Sequence, residues 1–318
     1  MAEAAMADVR VLRIWRRRCP ELRLEWRTRW HGVTFGRGAN LGRVVKIVLM
    51  HQGLTGALPV ELGQLAELKV LQLPSNRLTG EVPVELGHLA ALEELNLGNN
   101  YLIGEVPTVL GTLARLRMLN LAMNRLTGEV PAALGQLAEL EDLYLGDNQI
   151  TGTVPAALGH LGALRLLRLN NMQLTGAVPP ALGQLAELRT LNLEGNRLTS
   201  VPSELGLLGA LEQLNLRNNQ LTGEWETLIG HLGDRGVLVS FGADAPEITP
   251  SARRDCFPEH PSGPMPVSDA DVLRQWRYYC PQLQELWPAD SDVSTWSGVT
   301  FGGAGLEAAA GRMVGIDL

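Results

Sequence analysis

Cysteine is scarce in this chain of 318 residues. Only Cys19, Cys256 and Cys280 occur, and an odd, scattered set makes no disulfide framework. Lysine is nearly absent: Lys46 and Lys69 stand against a large excess of arginine, which reads as coding bias. Aromatic residues are 5% of the chain while leucine and glycine are plentiful, which suits an array of repeats better than one compact core. No run of about 18 apolar residues occurs, so no membrane span is expected. Met1 to Arg10 carries no apolar stretch of the kind a secretory leader needs. That N-terminus and the unpaired cysteines together set the expected location as cytoplasmic. A net charge of −7 is too modest to imply a nucleic-acid partner.

What the chain does contain is one short pattern, many times over. Leu95 to Pro107 carries two alternating leucines, Leu95 and Leu97, then Asn100, Leu102, Gly104 and Pro107. The asparagine recurs at Asn76, Asn100, Asn124, Asn148, Asn196 and Asn219. The interval is 24 residues, except for a last one of 23, where Leu198-Thr199-Ser200-Val201-Pro202 is one residue short. Met172 stands where the series expects asparagine, and counting back from Asn76 reaches Gln52. Residues 44–242 therefore hold eight coils and a degenerate ninth running through Leu228 to Phe241.

Alternating leucines have the periodicity of a strand with one buried face. A single coil cannot bury its own leucines, but a stack can, with its strands side by side in a parallel sheet. Chain reversal after each strand leaves backbone groups pointing inward, and a buried asparagine amide can satisfy them. Gln52, Asn76, Asn100, Asn124, Asn148, Asn196 and Asn219 are thus expected to form a polar ladder, broken at Met172. Leu86-Gly87-His88-Leu89-Ala90-Ala91-Leu92 and its copies predict a short helical turn back to the next strand, and the prolines from Pro59 to Pro202 fix the chain before it.

The flanks differ. Within residues 1–43, Val11, Leu12, Trp15, Cys19 and Leu22 lie at helical spacing, interrupted by Pro20. Arginines fill the other positions, at 10, 13, 16, 17, 18, 23, 27 and 29. A basic amphipathic helix for a membrane surface or RNA is one reading of that pattern. A solvated cap covering the first coil is preferred, because a solenoid needs its open end covered. Residues 243–267 hold six prolines and few apolar side chains and read as a linker. Residues 268–318 then repeat the N-terminal segment: Val272 to Leu283 echoes Val11 to Leu22, Trp296 to Gly302 echoes Trp30 to Gly36, and Gly311 to Leu318 echoes Gly42 to Leu49. This second cap-like module reaches the first strand of a new coil. The expectation is that the natural protein continues, or once continued, into a second solenoid. If that strand is uncovered, self-association through the C-terminal edge follows.

These residues resemble the leucine-rich repeat family, specifically its plant-type 24-residue subclass with the LxGxxP tail. The resemblance implies an α/β solenoid. It would be a curved array with a concave parallel β-sheet, short second strands at Leu-Thr-Gly-x-Val-Pro, and 3₁₀-like turns on the convex side. The N-terminal segment is similar to the family's cap, with Phe35 where secreted members carry a cysteine.

Catalytic chemistry is not evident. His88, His160 and His231 occupy a repeat position held elsewhere by Gln64, Gln136 and Gln184, a coil or more apart, so they cannot converge on one metal. Gly36 to Gly42 has the wrong spacing for a phosphate loop, and no Cys-x-x-Cys or Gly-x-Ser-x-Gly occurs. No cofactor, metal or enzymatic activity is expected. The variable letters lie instead beside the strand leucines. Glu94, Asn96, Met118, Asn120, Asp142, Tyr144, Asp147, Leu166, Arg168 and Asn192 are expected on the concave face. Aromatic and arginine side chains ringed by polar groups suit the centre of an interface. The function expected is a non-enzymatic scaffold that binds a protein or peptide there. The alternatives are a ligand-sensing receptor-like ectodomain or fragment, and the regulatory arm of an enzyme lying beyond Leu318.

Overall fold

A computed structural model describes residues 2–25, 30–222, 228, 232–240, 299–301 and 313–316. The chain divides into two compact units, Met1–Asp244 and Ala245–Leu318. The linker of residues 243–267, with Cys256, and most of the second cap-like module, with Cys280, lie outside the described residues, as does His231.

The first unit opens with two helices, α1 (Ala2–Arg18) and α2 (Pro20–Glu25). Pro20 starts the second helix, where its missing N–H costs nothing. Val11, Leu12, Trp15, Cys19 and Leu22 are buried at 0–2% exposure and belong to the same core as the repeat leucines. Two polar contacts, one buried and one partly buried, lock this cap to the array. The Asp8 carboxylate accepts hydrogen bonds from the Val44 N–H (2.7 Å) and from Arg43 (3.0 Å). Glu21 accepts from the Thr55 hydroxyl (2.9 Å) and from the Cys19 thiol (3.0 Å). Burial first, and then the Glu21 contact, push the Cys19 thiol up to about 11.

In chain order the strands are β1 (Val33–Phe35), β2 (Val44–Val48), β3 (Thr55–Ala57), β4 (Val70–Gln72) and β5 (Arg77–Thr79). Next come β6 (Glu94–Asn96), β7 (Met118–Asn120), β8 (Asp142–Tyr144), β9 (Leu166–Arg168) and β10 (Thr175–Ala177). The unit closes with β11 (Thr190–Asn192), β12 (Arg197–Ser200), β13 (Gln213–Asn215) and β14 (Leu238–Ser240). One sheet of ten strands runs β1-β2-β4-β6-β7-β8-β9-β11-β13-β14. Only the β1–β2 pair is antiparallel, and every repeat strand pairs in register with its equivalent one coil away. The second strands form two short parallel pairs, β3 with β5 and β10 with β12, and isolated parallel bridges such as Glu105 to Thr127 stand at the equivalent places of the intervening coils. Between the sheets run 3₁₀ turns, each entered through a proline with φ between −61° and −78°. The turn glycines from Gly63 to Gly183 have a steric reason: a Cβ on Gly135, for example, would collide with the Ala157 carbonyl of the next coil.

The strand leucines, such as Leu95, Leu97, Leu119 and Leu121, are fully buried, each worth roughly 1.5–3 kcal/mol. The asparagine ladder supplies the polar complement. Asn100 Nδ2 donates to the carbonyls of Leu97 and Leu73 (both 3.0 Å), and its Oδ1 accepts from the Leu78 N–H (3.0 Å). Asn76, Asn124, Asn148, Asn196 and Asn219 repeat the arrangement. At the N-terminal end Gln52 Nε2 donates to the Met50 carbonyl at 2.9 Å. Met172 is 5% exposed and offers no amide, so the Ile150 N–H lacks the bond that Leu126 and Leu174 make to the next asparagine.

The second unit contributes β15 (Val299–Phe301) and β16 (Met313–Ile316), an antiparallel pair. Its partners are Val299 with Ile316, Thr300 with Gly315, and Phe301 with Met313, with an irregularity between Thr300 and Phe301. The β1–β2 pair has Val33 with Ile47, Thr34 with Lys46, and Phe35 with Val44, irregular at the same step. The two hairpins match residue for residue.

The gap in the ladder gives a direct test. Met172→Asn is expected to raise unfolding free energy by about 1 kcal/mol, because it re-pairs a buried N–H that costs about 1–3 kcal/mol unsatisfied. Asn148→Met is expected to lower it by at least as much. Chemical denaturation of both variants beside the parent would measure the difference.

Candidate functional site

The large sheet turns one face into the leucine core and the other outward. Because β6 to β13 pair in register, side chains from equivalent positions form columns across the array. The first outward column contains Glu94, Met118, Asp142, Leu166, Thr190 and Gln213, all half-buried. The next contains Asn96, Asn120, Tyr144, Arg168, Asn192 and Asn215. Register places Met118, Asp142 and Leu166 side by side on β7, β8 and β9, with Asn120, Tyr144 and Arg168 as the parallel row.

This central patch is chemically distinct from its flanks. Asp142 lies between the apolar side chains of Met118 and Leu166. Burial raises its carboxyl above the usual carboxylate value, and the nearby Glu141 adds to the shift, while Arg165 and Arg168 oppose it. The Arg168 guanidinium sits over the Tyr144 ring, 6.0 Å from its centroid. A carboxylate held with its charge incompletely compensated, beside an aromatic–arginine pair, is the kind of surface a ligand's cation and apolar groups can complete.

Three of the expected site residues are placed differently. Asn96, Asn120 and Asn192 were expected to be exposed but are buried at 7%, 2% and 5%. Each side chain folds onto its own backbone: Asn96 Oδ1 accepts from the Gly98 N–H, Asn120 Oδ1 from Ala122 and Asn192 Oδ1 from Glu194, all at 3.0 Å. Asn215 does the same with Arg217 at 3.1 Å. These residues form a second asparagine series that shapes the turn after each strand, a local side-chain-to-backbone device. The recurring Leu-Asn-Leu triplet was its visible signal.

Asp147 and Glu94 are also engaged within the array. Asp147 accepts from the amides of Asn171 (2.8 Å) and Asn170 (3.1 Å), and Glu94 from Gln72 (2.7 Å). Farther along, Glu194 accepts from Asn215 at 2.8 Å. Gly146 leaves room for this network, since a Cβ there would strike the Asn170 side chain. The residue after it, Asp147, adopts φ +56°, and equivalent positions from His51 to Asn218 share that left-handed geometry. Asparagine and aspartate tolerate it, while Met123 at +54° bears the ordinary steric cost. Asn170 and Asn171 are the residues that reading the sequence alone had not assigned to this face. Their signal was only the side-by-side pair of amides one coil after Asp147.

A ten-stranded sheet that is parallel in all but its first pair, 3₁₀ turns and amide ladders at a 24-residue period define a repeat solenoid whose variable surface is one sheet face. Residues 43–178 match the family described as "Leucine-rich repeat region", and residues 187–208 and 210–232 match "Leucine Rich Repeat". Together the matches span more than half of the chain, and it belongs to the leucine-rich repeat family, in its plant-type subclass. Several solved structures are similar. The plant peptide hormone receptor RGFR1 in complex with RGF2 is 34% identical, covering 59% of this chain and 30% of the receptor, with a TM-score of 0.56. The Arabidopsis receptor kinase HAESA ectodomain, in complex with an N-terminally extended IDA peptide hormone, is 29% identical over 75% of this chain and 45% of its own, with a TM-score of 0.58. A plant ice-binding protein is 30% identical over 63% of this chain and 64% of its own, also with a TM-score of 0.58. The chain thus spans less than half the length of these two receptor ectodomains. No curated protein matches the sequence significantly.

Asp142 yields a pH-dependent prediction. Its raised pKa means that the ionised form disfavours the folded state, a penalty present above the folded pKa. As pH falls through that pKa toward the ordinary value of 3.8, the folded protein takes up the proton first and the penalty disappears. Asp142→Asn should therefore be more stable than the parent at neutral pH, with the two converging in acid. Paired thermal melts across that range would show a constant offset if Asp142 were not perturbed.

Proposed function

We propose that this chain is a binding scaffold that captures an extended peptide, or a peptide-like segment of a protein, on its outward sheet face. The centre of the site is Asp142, Tyr144 and Arg168, with Met118 and Leu166 beside them. The observation that carries this reading is the row Met118–Asp142–Leu166. A carboxylate wedged between two apolar side chains costs the fold stability and contributes nothing to the core. A ligand with a basic side chain over Asp142 and apolar groups over Met118, Leu166 and Tyr144 would offset that cost. Aromatic and arginine anchors in a partly desolvated centre are the usual carriers of binding energy.

The solved receptor ectodomains support a peptide as the ligand class, since both are complexes with peptide hormones. The reading concerns the repeat array, and a place for that array within a receptor-like protein is part of the proposal. The surface is assigned a binding role and no catalytic step: Glu94, Asp147 and Glu194 are each held by neighbouring amides, which leaves Asp142 without a second free carboxylate to act as an acid–base pair.

Selection of displayed random peptides on the immobilised protein tests this. Enriched sequences are expected to pair Lys or Arg with an apolar neighbour. Their affinity should fall by about 2 kcal/mol or more in Tyr144→Ala/Arg168→Ala, with the unfolding midpoint shifted by only a few degrees, as for half-exposed positions (about 1 kcal/mol or less). Affinity should also weaken as pH drops through the raised pKa of Asp142. Peptides that bind the double variant as well as the parent would move the site off this face.

A further inference from the structure

Positive charge is segregated in this molecule. Residues 1–43 carry ten arginines against the four carboxylates Glu3, Asp8, Glu21 and Glu25, a balance of +6. The remaining 275 residues carry 17 basic and 30 acidic side chains, a balance of −13. Capping does not explain the arginines, because Val11, Leu12, Trp15, Cys19 and Leu22 cover the first coil and Asp8 and Glu21 fasten the cap to it. Arg43 is paired with Asp8 and Arg18 with Glu61. Among the described residues, Arg10, Arg13, Arg16, Arg17 and Arg23 meet no carboxylate. Like charges stacked at three- and four-residue spacing destabilise a helix, so the pattern works against the stability of α1.

The geometry concentrates these groups. Arg13, Arg16, Arg17 and Arg23 line one cleft of about 450 Å³ on the outer side of α1 and α2. Arg10, Arg13 and Arg17 also line an adjoining hollow of about 860 Å³, whose other walls include Met6, Val9, Ile14 and Phe35. Met6 is 66% exposed, and Leu41, next to the hollow's Gly42, is 64% exposed. These are two of the most exposed large apolar side chains among the described residues. Planar guanidinium groups recognise phosphate oxygens in pairs, which an equal number of lysines would not do.

We propose that the outer face of the cap is a docking surface for an anionic phospholipid membrane. Headgroup phosphates would enter the arginine cleft, while Met6 and Leu41 reach the boundary between headgroups and acyl chains. Exposed apolar side chains among arginines are what favour a lipid surface over a free polyanion, which would use the charges alone. The repeat array, residues 44–242, carries a balance of −7 and would gain nothing from the same surface, so attachment through the cap leaves the sheet face in solution.

Co-sedimentation of the full chain with vesicles tests the proposal. Binding is expected to phosphatidylserine-containing phosphatidylcholine vesicles and not to pure phosphatidylcholine, and to fall as salt is raised. Arg13→Gln/Arg17→Gln should weaken partitioning by more than about tenfold, and Met6→Asp should weaken it further. Peptide binding at the sheet face should be unchanged in these variants, which separates this proposal from that reading. Equal binding to neutral vesicles, or undiminished binding by the arginine variant, would overturn it. So would tight binding of inorganic tripolyphosphate, polyglutamate or RNA without any binding to anionic vesicles.

Discussion

One polar side chain at one repeat position makes the rest of the array possible. Each turn out of the concave sheet points backbone N–H and C=O groups into a leucine interior where no water reaches them. An asparagine amide has donors and an acceptor on one short arm, and here it spends them on two coils at once: Asn100 bonds Leu97 in its own coil and both Leu73 and Leu78 in the one before. Adjacent coils are therefore joined by buried directional bonds as well as by leucine contact. The strands pair in register because the ladder permits no slip.

That rigidity is what allows the outward face to carry information. In a scaffold with invariant backbone positions, a substitution on the sheet changes chemistry without changing placement. The row Met118–Asp142–Leu166 and the pair Tyr144–Arg168 sit at positions whose counterparts elsewhere are asparagine, glutamine, threonine, valine, lysine or glutamate. The scaffold offers the same five ångström or so between neighbouring strands all along the array. A bound extended chain would find its side chains matched to that spacing, with the charged and aromatic letters in the middle coils deciding which chain it is.

Much of the architecture was legible in the sequence because its determinants are local and repeated. Leucine alternation, the asparagine interval and the proline before each turn each state one physical requirement many times. The second asparagine series was misread for an instructive reason. Asn96, Asn120 and Asn192 stand at outward positions, and strand alternation alone exposes them. Their burial follows from bonds to the N–H two residues on, which depend on the turn geometry after the strand. Asp147 was recognised as part of the outward face, but its tie to Asn170 and Asn171 spans a full coil and needed coordinates. The matching hairpins β1–β2 and β15–β16 show the opposite case, where an echo in sequence is repeated in pairing down to the irregular step.

The missing amide at Met172 also bears on how the array holds together. In a linear stack each coil is coupled only to its neighbours, so cooperativity is a product of successive couplings and is limited by the weakest. Two of the carbonyls that elsewhere receive an amide from each side, Leu145 and Leu169, keep only one here, and Ile150 loses its acceptor. The coupling between the fifth and sixth coils therefore loses its buried amide and is carried by leucine packing, backbone pairing and the ties of Asn170 and Asn171 to Asp147, while Asn196 still joins the sixth coil to the seventh. That places a natural seam in the solenoid between the coil of Tyr144 and the coil of Arg168. Amides on its two sides would exchange with solvent as separate cooperative blocks, and a ligand laid across β8 and β9 would bind the two blocks into one.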